Sequence, residues 1–165
     1  MIRSAKTNLK GYHSKIEKQD IILHKFQIEK YDLVLSRLVL HYIKHLEQIL
    51  EGIKNSLKVN GVFVCSMEHP IITSCYDSYH QKTKRESWLV DNYFSSGERV
   101  NIWIGKKVVK YHKTLEEYFQ LSKNAGFEIL DMRESKPIES NFEVKEEYER
   151  RMKIPLFIIF KLKRK

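Results

Sequence analysis

The fold of this chain can be inferred from residues 31–69, YDLVLSRLVLHYIKHLEQILEGIKNSLKVNGVFVCSMEH. Tyr31 to Leu35 is a short apolar run that predicts a strand buried on both faces. Apolar residues at helical spacing then predict a helix with one buried face, and Asn60-Gly61 is expected to end it. Gly61 to Ser66 predicts a second strand. Two buried strands joined by a helix indicate a doubly wound, mostly parallel α/β sheet.

Further elements can be read on both sides of this unit. Ile21 to Phe26 is a strand candidate, and Thr114 is expected to cap a helix that runs to about Asn124. The other predictions are a polar loop or short helix at 73–86, a hairpin of 99–104 with 107–111, a charged helix or turn at 143–151, and strands at 127–133 and 155–161. The last two strands are expected to pair antiparallel. We expect one domain, 1–165, with an insertion at 71–112.

Composition excludes several classes of protein. The chain has 165 residues, of which 42% are hydrophobic, so it can bury a core. Cys65 and Cys75 are too few for a disulfide framework, which predicts thiols in a reducing cytoplasm. No apolar run approaches the roughly 20 residues that cross a bilayer. The formal charge of +9 comes mostly from scattered lysines, and the only tight basic cluster is Lys161 to Lys165. A nucleic-acid-binding module is therefore the last-ranked alternative.

Two short motifs follow the predicted strands and carry a resemblance to a known family. The chain resembles the second half of a class I S-adenosylmethionine-dependent methyltransferase of the small-molecule type. That family typically carries fDlVlS and LHY at its fourth strand, then LkpgG and eHP at its fifth. The corresponding segments here are Tyr31–Ser36, Leu40–Tyr42, Leu57–Gly61 and Ser66–Pro70. The resemblance implies a Rossmann-like sheet with an antiparallel edge strand, and residues 88–94 and 111–114 are similar to a substrate cap.

The cofactor loop of that family has no counterpart in this sequence. Its six glycines are too far apart for a G-x-G turn, which needs glycine so that the backbone can approach the cofactor. The first six residues resemble the helix after the family's second strand, so we expect a methyltransferase without its first third. This predicts weak or absent binding of S-adenosylmethionine. Missing strands would expose a sheet edge, from which we expect a homo-oligomer.

The resemblance assigns candidate cofactor contacts and candidate catalytic residues. Ser36, Leu38 and His41 would flank the methionine part of the cofactor, and Glu29 is a possible adenine contact. His41, Glu68 and His112 would position or deprotonate the methyl acceptor, because carboxylates and imidazoles can take up a proton near neutral pH. The alternative for each histidine is structural: His41 could bond a backbone carbonyl at the helix start, and His112 could be a cross-strand partner in the hairpin.

A second group of residues could line the acceptor pocket. His69 follows Glu68 at a strand end, and Trp88 and Tyr93 could form apolar walls together with Trp103. The alternatives are that Pro70 only directs the chain and that the aromatic residues are the core of the cap. The other histidines lack partners at ligand spacing, so no metal site is predicted.

Three functions from different classes follow. The first is methyl transfer from S-adenosylmethionine to a small-molecule acceptor by direct displacement, which relies mainly on alignment. The second is a non-catalytic remnant or binding protein that has lost its cofactor affinity. The third is the basic nucleic-acid-binding module.

Overall fold

Among the described residues, the main sheet has four strands in the order β1-β2-β6-β5, and a separate two-stranded hairpin is formed by β3 and β4. The computed structural model describes residues 2–74, 88–103 and 105–165. The strands are β1 Tyr31–Arg37, β2 Leu57–Glu68, β3 Gly97–Trp103, β4 Lys106–His112, β5 Phe127–Glu134 and β6 Phe157–Arg164. The helices are α1 Ile2–Asn8, α2 Leu46–Ser56, α3 Pro70–Ser74, α4 Leu115–Asn124 and α5 Lys145–Met152.

The pairing of the strands confirms an α/β fold with a mixed sheet. β1 and β2 run parallel, whereas β6 pairs antiparallel with both β2 and β5. The antiparallel pairing of the last two strands is therefore confirmed. One of the three pairings is parallel, so parallel strands do not dominate the described part of the sheet.

Helices α2 and α4 pack on one face of the sheet, where the core lies. Phe63, Cys65 and Met67 alternate along β2 and are buried together with residues of α2 and β6. Residues that are paired across neighbouring strands point to the same face. Val34, opposite Phe63, therefore packs against this core, as does the apolar stripe of α2.

The prediction that β1 is buried on both faces is wrong. Leu33 and Leu35 are 52% and 69% exposed. They lie opposite Val62 and Val64, on the face that points away from the core. β1 is also an edge strand, since it pairs only with β2 among the described strands. A run of apolar residues therefore does not by itself show that both faces are covered.

The predicted helix is confirmed, but its end is not where Asn60-Gly61 suggested. α2 ends at Ser56, and the N–H of Leu57 bonds the carbonyls of Ile53 and Lys54. Asn60 does adopt the left-handed conformation, with φ 64°, but it lies inside β2. The prediction was wrong because an Asn-Gly pair favours a positive φ without specifying which element contains it.

The segment before β1 also differs from the prediction. Ile21–Leu23 form a turn of 3-10 helix instead of a strand, because the Asp20 carboxylate accepts a hydrogen bond from the Ile22 N–H at 3.0 Å. The predicted hairpin and the Thr114 cap are confirmed. Most of the predicted loop at 73–86, including Cys75, lies outside the described residues. No helix in the described part is long and apolar enough to cross a membrane.

Candidate functional site

The carboxyl ends of β1 and β2 meet at one edge of the sheet, as predicted. Arg37 lies opposite Ser66, and the N–H of the next residue, Leu38, donates to the Ser66 carbonyl at 2.8 Å. Leu38 has a left-handed backbone with φ 55°. This conformation is a steric cost for a branched side chain, and such residues concentrate at ligand sites. The chain therefore turns sharply here before it enters the Leu40–Tyr42 turn.

His41 joins the two motif segments directly. Its ring is 1% exposed, and Nδ1 accepts a hydrogen bond from the Glu68 N–H at 3.3 Å. Burial lowers the pKa of His41 from 6.5 to about 4, and the attraction of the Glu68 carboxylate is too small to reverse this. The imidazole is therefore neutral near pH 7, with its proton on Nε2. Its partner is a backbone N–H and not the carbonyl that the structural alternative had suggested.

Glu68 makes an ion pair that sequence reasoning missed. Its Oε1 lies 2.5 Å from the Nζ of Lys110, on β4, and the Lys110 side chain is 6% exposed. The same ammonium lies 5.9 Å from the ring centre of Tyr42. The other carboxylate oxygen of Glu68, Oε2, is buried without a hydrogen-bond partner among the described residues. Lysine is rarely buried unless it is paired, but the burial of Lys110 depends on how the hairpin docks, so the sequence carries no signal for this pair.

His112 has both of its ring nitrogens engaged. Nε2 lies 2.8 Å from the Tyr93 carbonyl, which can only accept, so this nitrogen carries the proton. Nδ1 then accepts from the hydroxyl of Thr73 at 2.6 Å. The ring is 1% exposed, and burial lowers its pKa. His112 therefore ties the hairpin to α3 and to Tyr93.

His69 is directed away from Glu68 and toward β5. Its Nδ1 accepts from the Ile71 N–H at 3.2 Å, and its Nε2 lies 3.0 Å from Oε1 of Glu134 without the alignment of a hydrogen bond. Burial lowers the pKa of His69, against the opposing effect of the Glu134 carboxylate. His69 therefore connects the start of α3 to β5.

The two aromatic candidates lie in different surroundings. The Tyr93 carbonyl accepts a hydrogen bond from His112 Nε2, and the Tyr93 hydroxyl accepts from the Leu115 N–H at 3.1 Å. Tyr93 also lines a cavity of about 560 Å³. The ring of Trp88, in contrast, lies 5.9 Å from the guanidinium of Arg150 on α5 and is not among the residues that line this cavity.

Glu29 lies at the opposite end of β1 from Ser36. It precedes the strand, and its Oε1 pairs with Nη2 of Arg164 at 2.7 Å. A strand rises about 3.3 Å per residue, so the seven residues of β1 separate the two ends by about 20 Å. The structure therefore does not bring Glu29 together with Ser36, Leu38 and His41. Ser36 Oγ, by contrast, is buried at the site edge without a partner in the described ranges.

Within the described residues, no group of three His, Cys, Asp or Glu side chains could hold a metal ion. The polar atoms available at the site are instead Oε2 of Glu68 and Oγ of Ser36, which can accept hydrogen bonds from a bound molecule.

Comparisons with known proteins agree on one family. The family described as a methyltransferase domain matches residues 1–94. A structure from Listeria monocytogenes, provisionally assigned as an S-adenosylmethionine-dependent methyltransferase, is 28% identical with a TM-score of 0.87, covering 100% of this chain and 75% of that one. An S-adenosylmethionine-dependent methyltransferase from Mesorhizobium loti is 26% identical with a TM-score of 0.81, covering 98% and 75%.

A curated relative from Haemophilus influenzae is an uncharacterized protein. It is 28% identical over an alignment of 128 residues, and the match covers 74% of this chain. The match spans about half of that relative, 48% of its length.

Proposed function

The chain belongs to the S-adenosylmethionine-dependent methyltransferases, and from this premise we propose that it takes part in methyl transfer to a small-molecule nucleophile at the carboxyl edge of β1 and β2. The observation that carries the proposal is the contact of His41 with the Glu68 N–H, which joins the two family motifs at that edge. In open α/β sheets, ligands bind beyond the carboxyl ends of the strands.

The residues at this edge fit the methionine part of the cofactor. S-adenosylmethionine supplies an electrophilic methyl group on a positively charged sulfur. The buried hydroxyl of Ser36 has no partner among the described residues and can bond a polar group of the amino acid moiety. The left-handed conformation of Leu38 turns the backbone sharply at the same edge. Glu29 does not fit the adenine, because its carboxylate pairs with Arg164 at the other end of β1.

Glu68 is the residue that we assign to the acceptor. Lys110 holds Oε1, which leaves Oε2 to accept a hydrogen bond or a proton from an N–H or O–H nucleophile. An unpaired buried carboxylate oxygen is costly, and a donor on the acceptor would remove that cost. Orientation of the nucleophile toward the methyl group accounts for most of the rate in such a reaction.

We assign positioning roles to the two histidines. His41 is neutral near pH 7, and its Nδ1 is occupied by the Glu68 N–H, so it fixes the backbone that carries the Glu68 side chain. His112 holds Thr73 and Tyr93 through its two nitrogens. We do not assign acceptor contacts to His69 and Trp88, which face Glu134 and Arg150.

We propose weak cofactor affinity for this chain. The sequence has no closely spaced glycine pair, and the fitting residues at the β1–β2 edge suit only the methionine part. The acceptor is proposed to be a small molecule because the family implies one. The chain spans about half the length of its curated relative. Methyl transfer by the whole protein is therefore also a proposal.

An activity assay with a matched control tests the role of Glu68. Release of S-adenosylhomocysteine would be measured with a panel of small amines, phenols and carboxylates. For any acceptor found, Glu68→Gln is expected to lower kcat/KM by about 10²-fold or more, as for loss of a proton acceptor, with unchanged cofactor affinity. Glu98→Gln, an exposed carboxylate of the hairpin, is the control. Equal activity of the two variants would contradict the assignment.

A second candidate function, self-association through β1, is favoured by one observation. β1 is an edge strand that exposes Leu33 and Leu35. Such strands pair readily with another chain. An antiparallel pairing centred on Val34 would place Leu33 of one copy opposite Leu35 of the other. Light scattering should then show a dimer that Leu35→Lys converts to a monomer, whereas a monomeric parent protein would contradict the proposal.

A further inference from the structure

A mostly apolar cavity that the site does not use lies between α4 and the edge of the sheet. Its volume is about 560 Å³, within the range of small-molecule pockets. Four aromatic rings contribute to its walls, together with aliphatic side chains of α4 and β5. The lining residues are Tyr93, Phe94, Thr114, Leu115, Glu116, Phe119, Ile129, Met132 and Phe160.

Several of these apolar side chains are left exposed. Phe94 is 89% exposed, Phe119 is 40% exposed and Met132 is 44% exposed. Each Å² of apolar surface removed from water contributes about 25 cal/mol. An apolar molecule in the cavity would cover part of all three side chains, so the walls favour an apolar occupant.

Among the described residues that line the cavity, Glu116 is the one charged group, and its hydrogen bonding differs from that of its neighbour Glu117. The carboxylate of Glu117 accepts from the Thr114 N–H and from the Ser96 hydroxyl. Glu116 is exposed and has no ion pair or hydrogen bond with the rest of the described chain. The cavity therefore combines aromatic faces with one uncommitted negative charge. Both features attract a cation.

We propose that this cavity binds a small aromatic or aliphatic molecule that carries one amine. The apolar body packs against Phe119, Met132 and Phe160, and the ammonium group pairs with Glu116. A carboxylate of the same shape is repelled by Glu116, which makes charge the basis of selection.

This site is separate from the proposed methyl-transfer site. The described residues that line the cavity include none of Ser36, Leu38, His41 and Glu68, and its strand residues lie on β5 and β6 and not on β1 or β2. The two sites share one connection: Tyr93 lines the cavity, and its carbonyl accepts the hydrogen bond from His112. The proposal does not depend on the methyl-transfer activity.

The test uses three probes of one shape and different charge: tryptamine, tryptophol and indolepropionate. Calorimetric titration of the full chain is expected to show tryptamine binding at least about tenfold tighter than indolepropionate, with tryptophol between them. Glu116→Gln should remove the preference for tryptamine and retain the binding of tryptophol. Glu51→Gln, on the exposed side of α2, should change nothing.

A cavity-filling variant tests the location independently. Met132→Trp adds volume at a partly exposed wall and should weaken all three probes, while circular dichroism shows an unchanged fold. The proposal is overturned if no probe binds, if the three bind equally, if Glu116→Gln keeps the preference for tryptamine, or if Met132→Trp leaves their binding unchanged.

Discussion

The ammonium of Lys110 lies 2.5 Å from the carboxylate of Glu68 and thereby attaches the β3–β4 hairpin to the carboxyl end of β2. Both side chains are largely removed from solvent, at 6% and 18% exposed. In such surroundings, a charge that loses its partner keeps its full desolvation cost. The pair therefore couples the position of the hairpin to the proposed acceptor-binding carboxylate.

Removal of one partner should destabilise the protein strongly. Lys110→Met is expected to lower the free energy of unfolding by about 3 kcal/mol, because it leaves the Glu68 carboxylate buried and uncompensated. The double variant Lys110→Met with Glu68→Gln should recover a large part of that loss. Urea denaturation of the parent protein, the two single variants and the double variant gives the coupling energy. Additive effects of the two substitutions would contradict a direct pair.

His41 should make the stability depend on pH. The folded state holds its pKa at about 4, whereas the unfolded chain has the ordinary value of 6.5, so the unfolded state binds the proton first as the pH falls. The stabilisation is present above pH 6.5 and is lost toward pH 4, by up to about 3 kcal/mol. Urea unfolding at several pH values should therefore show that the free energy of unfolding declines less steeply with falling pH in His41→Asn than in the parent protein.

His13→Asn is the control for that measurement, because His13 is exposed. The control should keep the pH dependence of the parent protein. If His41→Asn kept it as well, protonation of the buried ring would not be the cause.

Gly52→Ala should destabilise the protein, although alanine normally stabilises a helix interior relative to glycine. A Cβ at this position of α2 would lie 2.4 Å from Cδ2 of Phe26. Displacement of the ring is expected to cost about 1–2 kcal/mol, more than the helix propensity contributes. Thermal unfolding shows whether the substitution stabilises or destabilises the protein. In a Phe26→Leu background the same substitution should become neutral or stabilising, and persistent destabilisation there would exclude the clash.

The cap of α4 gives a local test near the cavity. The hydroxyl of Thr114 accepts from the Glu117 N–H at 3.1 Å, and the Glu117 carboxylate accepts from the Thr114 N–H at 2.6 Å. Thr114→Ala should therefore lower the free energy of unfolding by about 1 kcal/mol, while Thr114→Ser should retain most of the stabilisation by the cap. Equal losses in the two variants would show that the hydroxyl makes no contribution.

The common edge of the carboxyl ends of β1 and β2 could be predicted from the sequence, because the rule for parallel strands needs only the strand–helix–strand pattern. The cap of α4 was likewise local, since Thr114 and Glu117 are three residues apart. Asn60 shows the limit of such local signals: its positive φ was expected, but Leu57 had already begun the strand.

Lys110 could not be predicted because its partner lies 42 residues away and depends on how the hairpin docks. The same holds for His112, whose bonds to Thr73 and Tyr93 arise from packing. The exposed faces of Leu33 and Leu35 were missed because an apolar run indicates what a strand can bury and not what covers it.

The location of the cofactor can be measured directly by NMR, with S-adenosylmethionine titrated into the isotope-labelled chain. We expect fast-exchange shifts of the Ser36, Leu38 and Glu68 amides, with a dissociation constant above about 0.1 mM and no shift at Glu29. Shifts confined to the Glu29 end of β1, no shifts at millimolar cofactor, or micromolar binding would contradict it.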